Sequence, residues 1–167
     1  MRKNKLTVLW YVIPALFIVG LIVFAATRPR PGESIVSQGN KHLKTAEEQH
    51  DPYNTSPPTS GPHMSGKADW GVHETQIQDE LQIHNLEDGG IIVHYDPAKV
   101  DEAIIKTLTD LVGTYKEKVI LEPYASLETP IVLTAWTRID KLLSLDEQRI
   151  KEFINAYKGI DHHVAGG

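Results

Sequence analysis

GGIIVHYDPAKVDEAIIKTLTDLVGTY, residues 89–115, carries the clearest secondary-structure pattern in this chain. Residues 91–95 form an apolar run between two glycines and Asp-Pro, which is typical of a buried strand. Asp96 suits a helix N-cap and Pro97 the first helical position. Apolar side chains then recur every three or four residues, at Val100, Ile104, Leu108, Leu111 and Tyr115. This spacing predicts an amphipathic helix that follows the strand.

The sequence that follows adds two strands and a second helix. KVILEPY (118–124) and TPIVLTAWTR (129–138) have the apolar, β-branched character of strands, with a short turn between them. Ser144 and Glu147 form a capping-box pattern ahead of an apolar stripe that ends near Gly159. The sequence therefore predicts an α+β fold in which two helices pack on a small mixed β-sheet.

The N-terminal region differs in character from the rest of the chain. Residues 6–27 contain no charged side chain and are long enough to cross a bilayer as a helix. The basic segment MRKNK precedes them, which favours a cytoplasmic N-terminus and an extracytoplasmic C-terminal domain. A cleaved signal peptide is the alternative, although signal peptides usually have a shorter apolar core. We expect a single-pass anchor in the cell membrane, ahead of a long irregular loop region.

The composition limits the remaining functions. The net charge is −5 although the first thirty residues are basic, so the rest of the chain is acidic and no nucleic-acid partner is expected. Without cysteine, a metal site would have to use His, Met, Asp or Glu. The expected segments are a cytoplasmic N-terminus (1–5), a transmembrane helix (6–27), a juxtamembrane tether (28–50), an exported α+β domain (51–160) and a C-terminal tail (161–167).

The irregular segment before the first strand holds the candidate functional residues. SPPTSGPHM, residues 56–64, is stiffened by three prolines and ends in His63 and Met64. A histidine on a stiff loop is held as a metal ligand requires, but it could equally cap a surface turn. The thioether of Met64 beside an imidazole suits copper, or it could fill a gap in packing.

A second cluster, HNLEDGG, occupies residues 84–90. On one helical turn His84 and Glu87 would share a face, which suits two ligands of one ion or a carboxylate that orients an imidazole. The alternative is a plain turn in which His84 bonds to the backbone. Of the other histidines, His42 and His50 in the tether are expected to be solvated and His94 in a strand to be structural. His162 and His163 near the terminus could bind metal adventitiously and are assigned no role.

These segments resemble a known family. YNTSPPTSGPH (53–63), WGVH (70–73), IHNLEDGGIIVHY (83–95) and TPIVLTAW (129–136) are similar to bacterial, mostly membrane-anchored proteins of the DUF3105 family, a domain of unknown function. The resemblance implies that the PPTSGPH loop and the HNLE turn belong to one unit containing His63, His84 and Glu87. The family usually has HNLEHG, so Asp88 stands here in place of a histidine. A carboxylate at this position would shift metal preference toward harder ions.

The sequence leaves three functions open. The first is an exported metal-binding domain for copper or zinc, with His63, His84 and Glu87 as ligands and Met64 and Asp88 as further ligands. The second is a metal-free module that binds another envelope protein, with the histidines far apart or bonded to the backbone. The third, ranked last, is a hydrolase using Glu87 or His84 as general base, although no catalytic motif is present and no catalytic residue is assigned.

Overall fold

The structure, a computed structural model, describes residues 5–26, 29–45 and 47–163, without the side chains of residues 5–9 and 22–26. The chain divides into two compact units, Met1–Arg30 and Pro31–Gly167.

The first unit contains helix α1, Lys5–Ala26. The helix covers the segment expected at 6–27 except for Thr27, which lies outside the described residues. Over the part of the chain that the structure describes, no helix combines the length and apolar character that crossing a membrane requires. The transmembrane assignment therefore has no support in the structure and stays a prediction.

The second unit contains eight strands and three helices within its described residues. They are, in chain order, β1 (Glu33–Ser34), β2 (His42–Leu43), β3 (His63–Met64), β4 (Gly71–Val72), α2 (Asp79–Glu87), β5 (Ile91–Tyr95), α3 (Glu102–Val112), β6 (Val119–Pro123), β7 (Ile131–Ala135), β8 (Arg138–Leu142) and α4 (Glu147–Tyr157).

Six of the strands form one mixed sheet in the order β1-β8-β7-β5-β6-β4. The neighbours β4, β6 and β5 run parallel, while β5, β7, β8 and β1 pair antiparallel. The two remaining strands, β2 and β3, form a separate parallel pair. The predicted α+β class with a mixed sheet is confirmed.

The two faces of the sheet are covered by different parts of the chain. Along β5, Ile91 and Val93 belong to a large apolar cluster with α3 and α4, whereas Ile92 packs in a second cluster with Leu86 of α2. This division follows from the alternation of side chains along a strand. The helices predicted from periodicity therefore support one face, and the irregular segment with α2 covers the other.

The structure differs from the sequence prediction at both helix starts. Asp101, rather than Asp96, caps α3 by accepting a hydrogen bond from the Ile104 amide at 2.9 Å. Asp96 instead closes a turn, where its side chain accepts a hydrogen bond from the Ala98 amide. At α4 the cap is Asp146 rather than Ser144, so the predicted capping box does not form.

Two further differences concern strands. The segment 129–138 was expected to be one strand, but it contains β7, a turn at Trp136 and Thr137, and the first residue of β8. The region expected to be a tether, 28–50, supplies β1 to the edge of the main sheet and β2 to the small parallel pair. Residues 31–50 are therefore part of the folded second unit rather than a spacer.

Candidate metal centre

The stiff loop at residues 57–63 is buried in the second unit except for the half-buried Pro62. Backbone hydrogen bonds join Gly61 to Gly39 and His63 to Lys41, at 3.0 and 2.9 Å. In the parallel pair, His42 lies directly opposite His63. Residues in register on neighbouring strands point to the same side of a sheet, so the two imidazoles share one face. The loop thus holds His63 in place, with His42 beside it.

Helix α2 supplies the second set of side chains. Asn85 fixes the helix against the preceding loop by two hydrogen bonds to the Ala68 backbone, each 2.9 Å long. His84 and Glu87 lie one turn apart, as the sequence suggested. The His84 ring centroid is 5.3 Å from that of His63. Two parts of the chain separated by twenty residues therefore meet at one place.

One carboxylate oxygen is the centre of this cluster. Glu87 Oε2 lies 3.0 Å from His63 Nε2, 3.4 Å from His163 Nε2 and 3.7 Å from His42 Nε2. The side chains of His63 and Glu87 are 0% and 1% exposed, whereas that of His42 is 45% exposed. One ligand atom from each of His42, His63, His84 and Glu87 fits within a 4.8 Å group. These four residues, the inner group, have a buried end and a solvent-facing end.

Hydrogen bonding determines which ring nitrogen of His63 carries the hydrogen and which one presents a lone pair to Glu87. His63 Nδ1 is 2.8 Å from the Gly61 carbonyl oxygen, which can only accept, so Nδ1 donates its hydrogen there. In the neutral ring Nε2 then presents a lone pair to Glu87 Oε2 at 3.0 Å. Two acceptors this close require a positive charge between them, either a proton or a metal ion. Metal-binding histidines commonly have this arrangement, with the other ring nitrogen bonded to a carbonyl.

The charge states of the cluster suit a cation. Burial opposes ionisation of Glu87, but the hydrogen bond from Asn40 and the neighbouring histidines outweigh it and lower its pKa. Burial lowers the pKa of His84, a shift that nearby Asp88 only partly offsets. His84 Nδ1 is buried and has no hydrogen-bond partner among the described residues. The centre therefore combines an ionised carboxylate with an imidazole biased toward its neutral, metal-binding form.

A second group of potential ligands lies at the surface. One atom from each of His84, Asp88 and His163 also falls within 4.8 Å, and His84 is common to both groups. His163 belongs to a C-terminal arm, residues 159–163, which is attached to the end of α2. The Gly159 amide donates to Gly89 and the His162 amide to Glu87, at 2.8 and 2.9 Å. The pKa of His163 is raised chiefly by the hydrogen bond of its side chain to Asp161, with burial opposing this and Glu87 adding to it.

The five sequence-predicted site residues take different positions. His63, His84 and Glu87 come together in the inner group, and Asp88 lies beside it in the outer one. Asp88 also pairs with Lys67 through its second oxygen, at 2.5 Å. Met64 follows His63 in β3, and its register partner is the buried Leu43 rather than a histidine. Strand alternation directs its thioether to the side opposite His63, so the structure does not bring it to the cluster.

Two residues of the cluster were missed by sequence reasoning. His42 was interpreted as a solvated tether residue, and His163 was assigned no role. Neither has a local signal, because His42 is placed by pairing between two-residue strands and His163 by backbone hydrogen bonds of the arm. His94 meets its structural expectation, since its ring is fully buried and lies 2.9 Å from the Thr134 hydroxyl.

Replacing Gly89 by alanine should destabilise the protein more than the same change at Gly159. Both glycines have positive φ, +79° and +85°, a conformation that costs other residues about 1–2 kcal/mol. A Cβ at Gly89 would also lie 2.6 Å from the Ile160 carbonyl oxygen, whereas the space at Gly159 is open. We expect the free energy of unfolding, measured in urea, to fall by about 1–2 kcal/mol for Gly159→Ala and by clearly more for Gly89→Ala. Equal losses for the two variants would contradict the close approach of the Ile160 carbonyl oxygen to Gly89.

Fold and cluster together define a small α+β domain with a histidine–carboxylate group that could hold a metal ion. The chain belongs to the DUF3105 family, described as a protein of unknown function, whose model matches residues 44–164. The matched region includes His63, His84, Glu87 and His163, whereas His42 precedes it. No curated protein and no solved structure matches the chain.

Proposed function

We propose that this protein binds one divalent transition-metal ion, zinc or copper, in the inner group of His42, His63, His84 and Glu87. The observation that carries the proposal is the convergence on Glu87 Oε2 of histidine nitrogens from separate parts of the chain. Asp88, at the surface beside His84, adds negative charge next to the ion.

The spacing of the donor atoms supports a single ion. Zinc–nitrogen bonds of 2.0–2.1 Å in a tetrahedral site place neighbouring ligand atoms about 3.3 Å apart. The distances from Glu87 Oε2 to the Nε2 atoms of His63 and His42, 3.0 and 3.7 Å, lie on either side of this value. Small side-chain shifts would therefore bring these atoms to bonding distance of one ion.

The donor chemistry limits the choice of metal. Imidazole nitrogens with one carboxylate suit Zn²⁺ and Cu²⁺, while Cu⁺ prefers thiolate or thioether sulfur. Because Met64 is directed away from His63, the thioether argument for copper that the sequence suggested is weakened. Divalent copper generally binds a given site more tightly than zinc, so Cu²⁺ should displace Zn²⁺ here.

The metal-free alternative expected His63 and His84 to be far apart or each bonded to the backbone. Their ring centroids are 5.3 Å apart, and only the Nδ1 atom of His63 is bonded to the backbone. The proposed setting, outside the cytoplasm on a membrane anchor, is supported by the uncharged segment 6–27 and the basic residues before it. An envelope protein remains the proposed partner if the protein delivers or receives its metal there.

Titration with metal should separate the inner group from ordinary surface histidines. We expect the untagged, metal-free chain to bind one Zn²⁺ or Cu²⁺ in competition with a chromophoric chelator. His63→Ala and Glu87→Gln should weaken binding by at least about 100-fold, the upper end of what loss of an outer-shell partner alone costs.

His73→Ala is the matched control, because His73 bonds to the Asp69 carbonyl outside the cluster. This variant should bind as the unmodified chain does. If His63→Ala and His73→Ala weaken binding equally, the metal is held by scattered surface groups and the proposal is wrong.

A further inference from the structure

The C-terminal arm presents a histidine that is already arranged as a ligand. His163 Nδ1 lies 2.7 Å from Asp161 Oδ1, an acceptor, so this nitrogen carries a hydrogen. In the neutral ring the lone pair then belongs to Nε2, which is 3.4 Å from Glu87 Oε2. A carboxylate bonded to one ring nitrogen commonly orients the other toward a metal. Asp161 thus holds the hydrogen of His163 on Nδ1, as the Gly61 carbonyl does for His63.

Two features place this nitrogen within reach of an ion in the inner group. The 3.4 Å separation from Glu87 Oε2 lies within the roughly 2.9–3.6 Å that bonds of zinc–nitrogen length give between neighbouring ligands of a five-coordinate ion. His84, a member of the inner group, is also within 4.8 Å of His163. For an ion held by His84 and Glu87, His163 would therefore be close enough to act as a further ligand.

The exposure of His163 differs from that of the buried inner ligands His63 and Glu87 and resembles that of the inner ligand His42. The side chain of His163 is 42% exposed, whereas those of His63 and Glu87 are buried. It belongs to an arm attached to α2 by backbone hydrogen bonds from Gly159 and His162, while the His162 ring stacks on Trp136 at 5.9 Å. His163 is therefore a cluster histidine that solvent reaches and that the arm, rather than a strand or helix, holds in place.

We propose that His163 is a further ligand of the metal and fills a coordination position that an external donor ligand takes once the arm withdraws His163. This inference rests on the metal-binding function proposed above. Asp161 is a positioning residue that acts through His163. The class of incoming ligand is a neutral or anionic nitrogen donor, or a histidine of another protein that exchanges metal with this one.

The test uses the full-length, untagged chain loaded with one Cu²⁺, whose visible absorption and electron paramagnetic resonance report nitrogen ligation. We expect His163→Ala to keep one Cu²⁺ but to bind it about tenfold or more weakly and to show one nitrogen ligand fewer. Millimolar imidazole should restore the spectrum of the unmodified protein in this variant and leave the unmodified protein unchanged.

Two more variants complete the experiment. Asp161→Ala should shift the copper spectrum toward that of His163→Ala, because no side-chain acceptor then fixes the ring. His73→Ala should have no effect on either the spectrum or the response to imidazole.

The outcomes distinguish the two proposals. If His163→Ala binds Cu²⁺ with unchanged affinity and spectrum, His163 is not a ligand and this inference is overturned while the inner site stands. The same conclusion follows if imidazole alters the unmodified protein and His163→Ala equally. If the unmodified protein binds no Cu²⁺, both the metal-binding function and this inference fail.

Discussion

Zn²⁺ at a thousand times its dissociation constant should raise the melting temperature of this protein by roughly 15 °C. A ligand that binds only the folded state at this excess stabilises it by about 4 kcal/mol. In domains near this size each kcal/mol corresponds to roughly 4 °C. The effect should be large because the inner ligands come from β2, β3 and α2, which are together only when the chain is folded.

Glu87→Gln is the informative variant for this melting experiment. The amide keeps the size of the side chain and an oxygen that can accept the hydrogen bond from Asn40, but it removes the negative charge that faces the histidines. We expect the zinc-dependent shift of this variant to fall to about 6 °C or less, because binding weakened a hundredfold leaves only about 1.4 kcal/mol of stabilisation at the same zinc concentration. Differential scanning calorimetry of both proteins, with and without Zn²⁺, measures the difference.

Mg²⁺ is the control ion, because it keeps its water and prefers oxygen ligands. It should leave the melting temperature of both proteins unchanged. A zinc-dependent shift of the same size in Glu87→Gln would show that the ion binds somewhere other than the inner group.

Local patterns predicted three of the six strands of the main sheet, β5, β6 and β7, and both helices that follow them in sequence or lie between them. The strand at 91–95 has an apolar run and the helices α3 and α4 have clear periodicity, and the structure contains all three. The separate strand β8 was missed because the turn before it uses Thr137 at a φ of +56°. Glycine or asparagine usually marks such a turn, and a β-branched residue gives no such signal.

The site could be predicted only as far as its residues are close in sequence or lie on stiff backbone. His84 and Glu87 are three residues apart on one helix, and His63 follows a proline-rich loop, so local reasoning identified all three. His42 and His163 come from opposite ends of the second unit. Their placement depends on tertiary hydrogen bonds that no short sequence pattern encodes.

The second large prediction concerns a buried histidine–carboxylate pair, His94 and Glu122. His94 Nδ1 lies 2.9 Å from Glu122 Oε1, and both side chains are fully buried. Among the described residues neither atom has another hydrogen-bond partner, so each faces only the other. Glu122 also accepts a hydrogen bond from the Ile77 amide through its other oxygen. The pair therefore connects β5 and β6 to the irregular segment that leads into α2.

His94→Leu should lower the free energy of unfolding by about 3–5 kcal/mol, because it leaves the Glu122 carboxylate buried without its partner. Urea unfolding measures this loss. The double variant His94→Leu/Glu122→Gln should recover much of it, since the neutral amide still accepts from the Ile77 amide and no unpaired charge remains. Glu122→Gln alone provides the fourth corner of a double-mutant cycle. If the two single losses simply add in the double variant, His94 and Glu122 do not act as a pair.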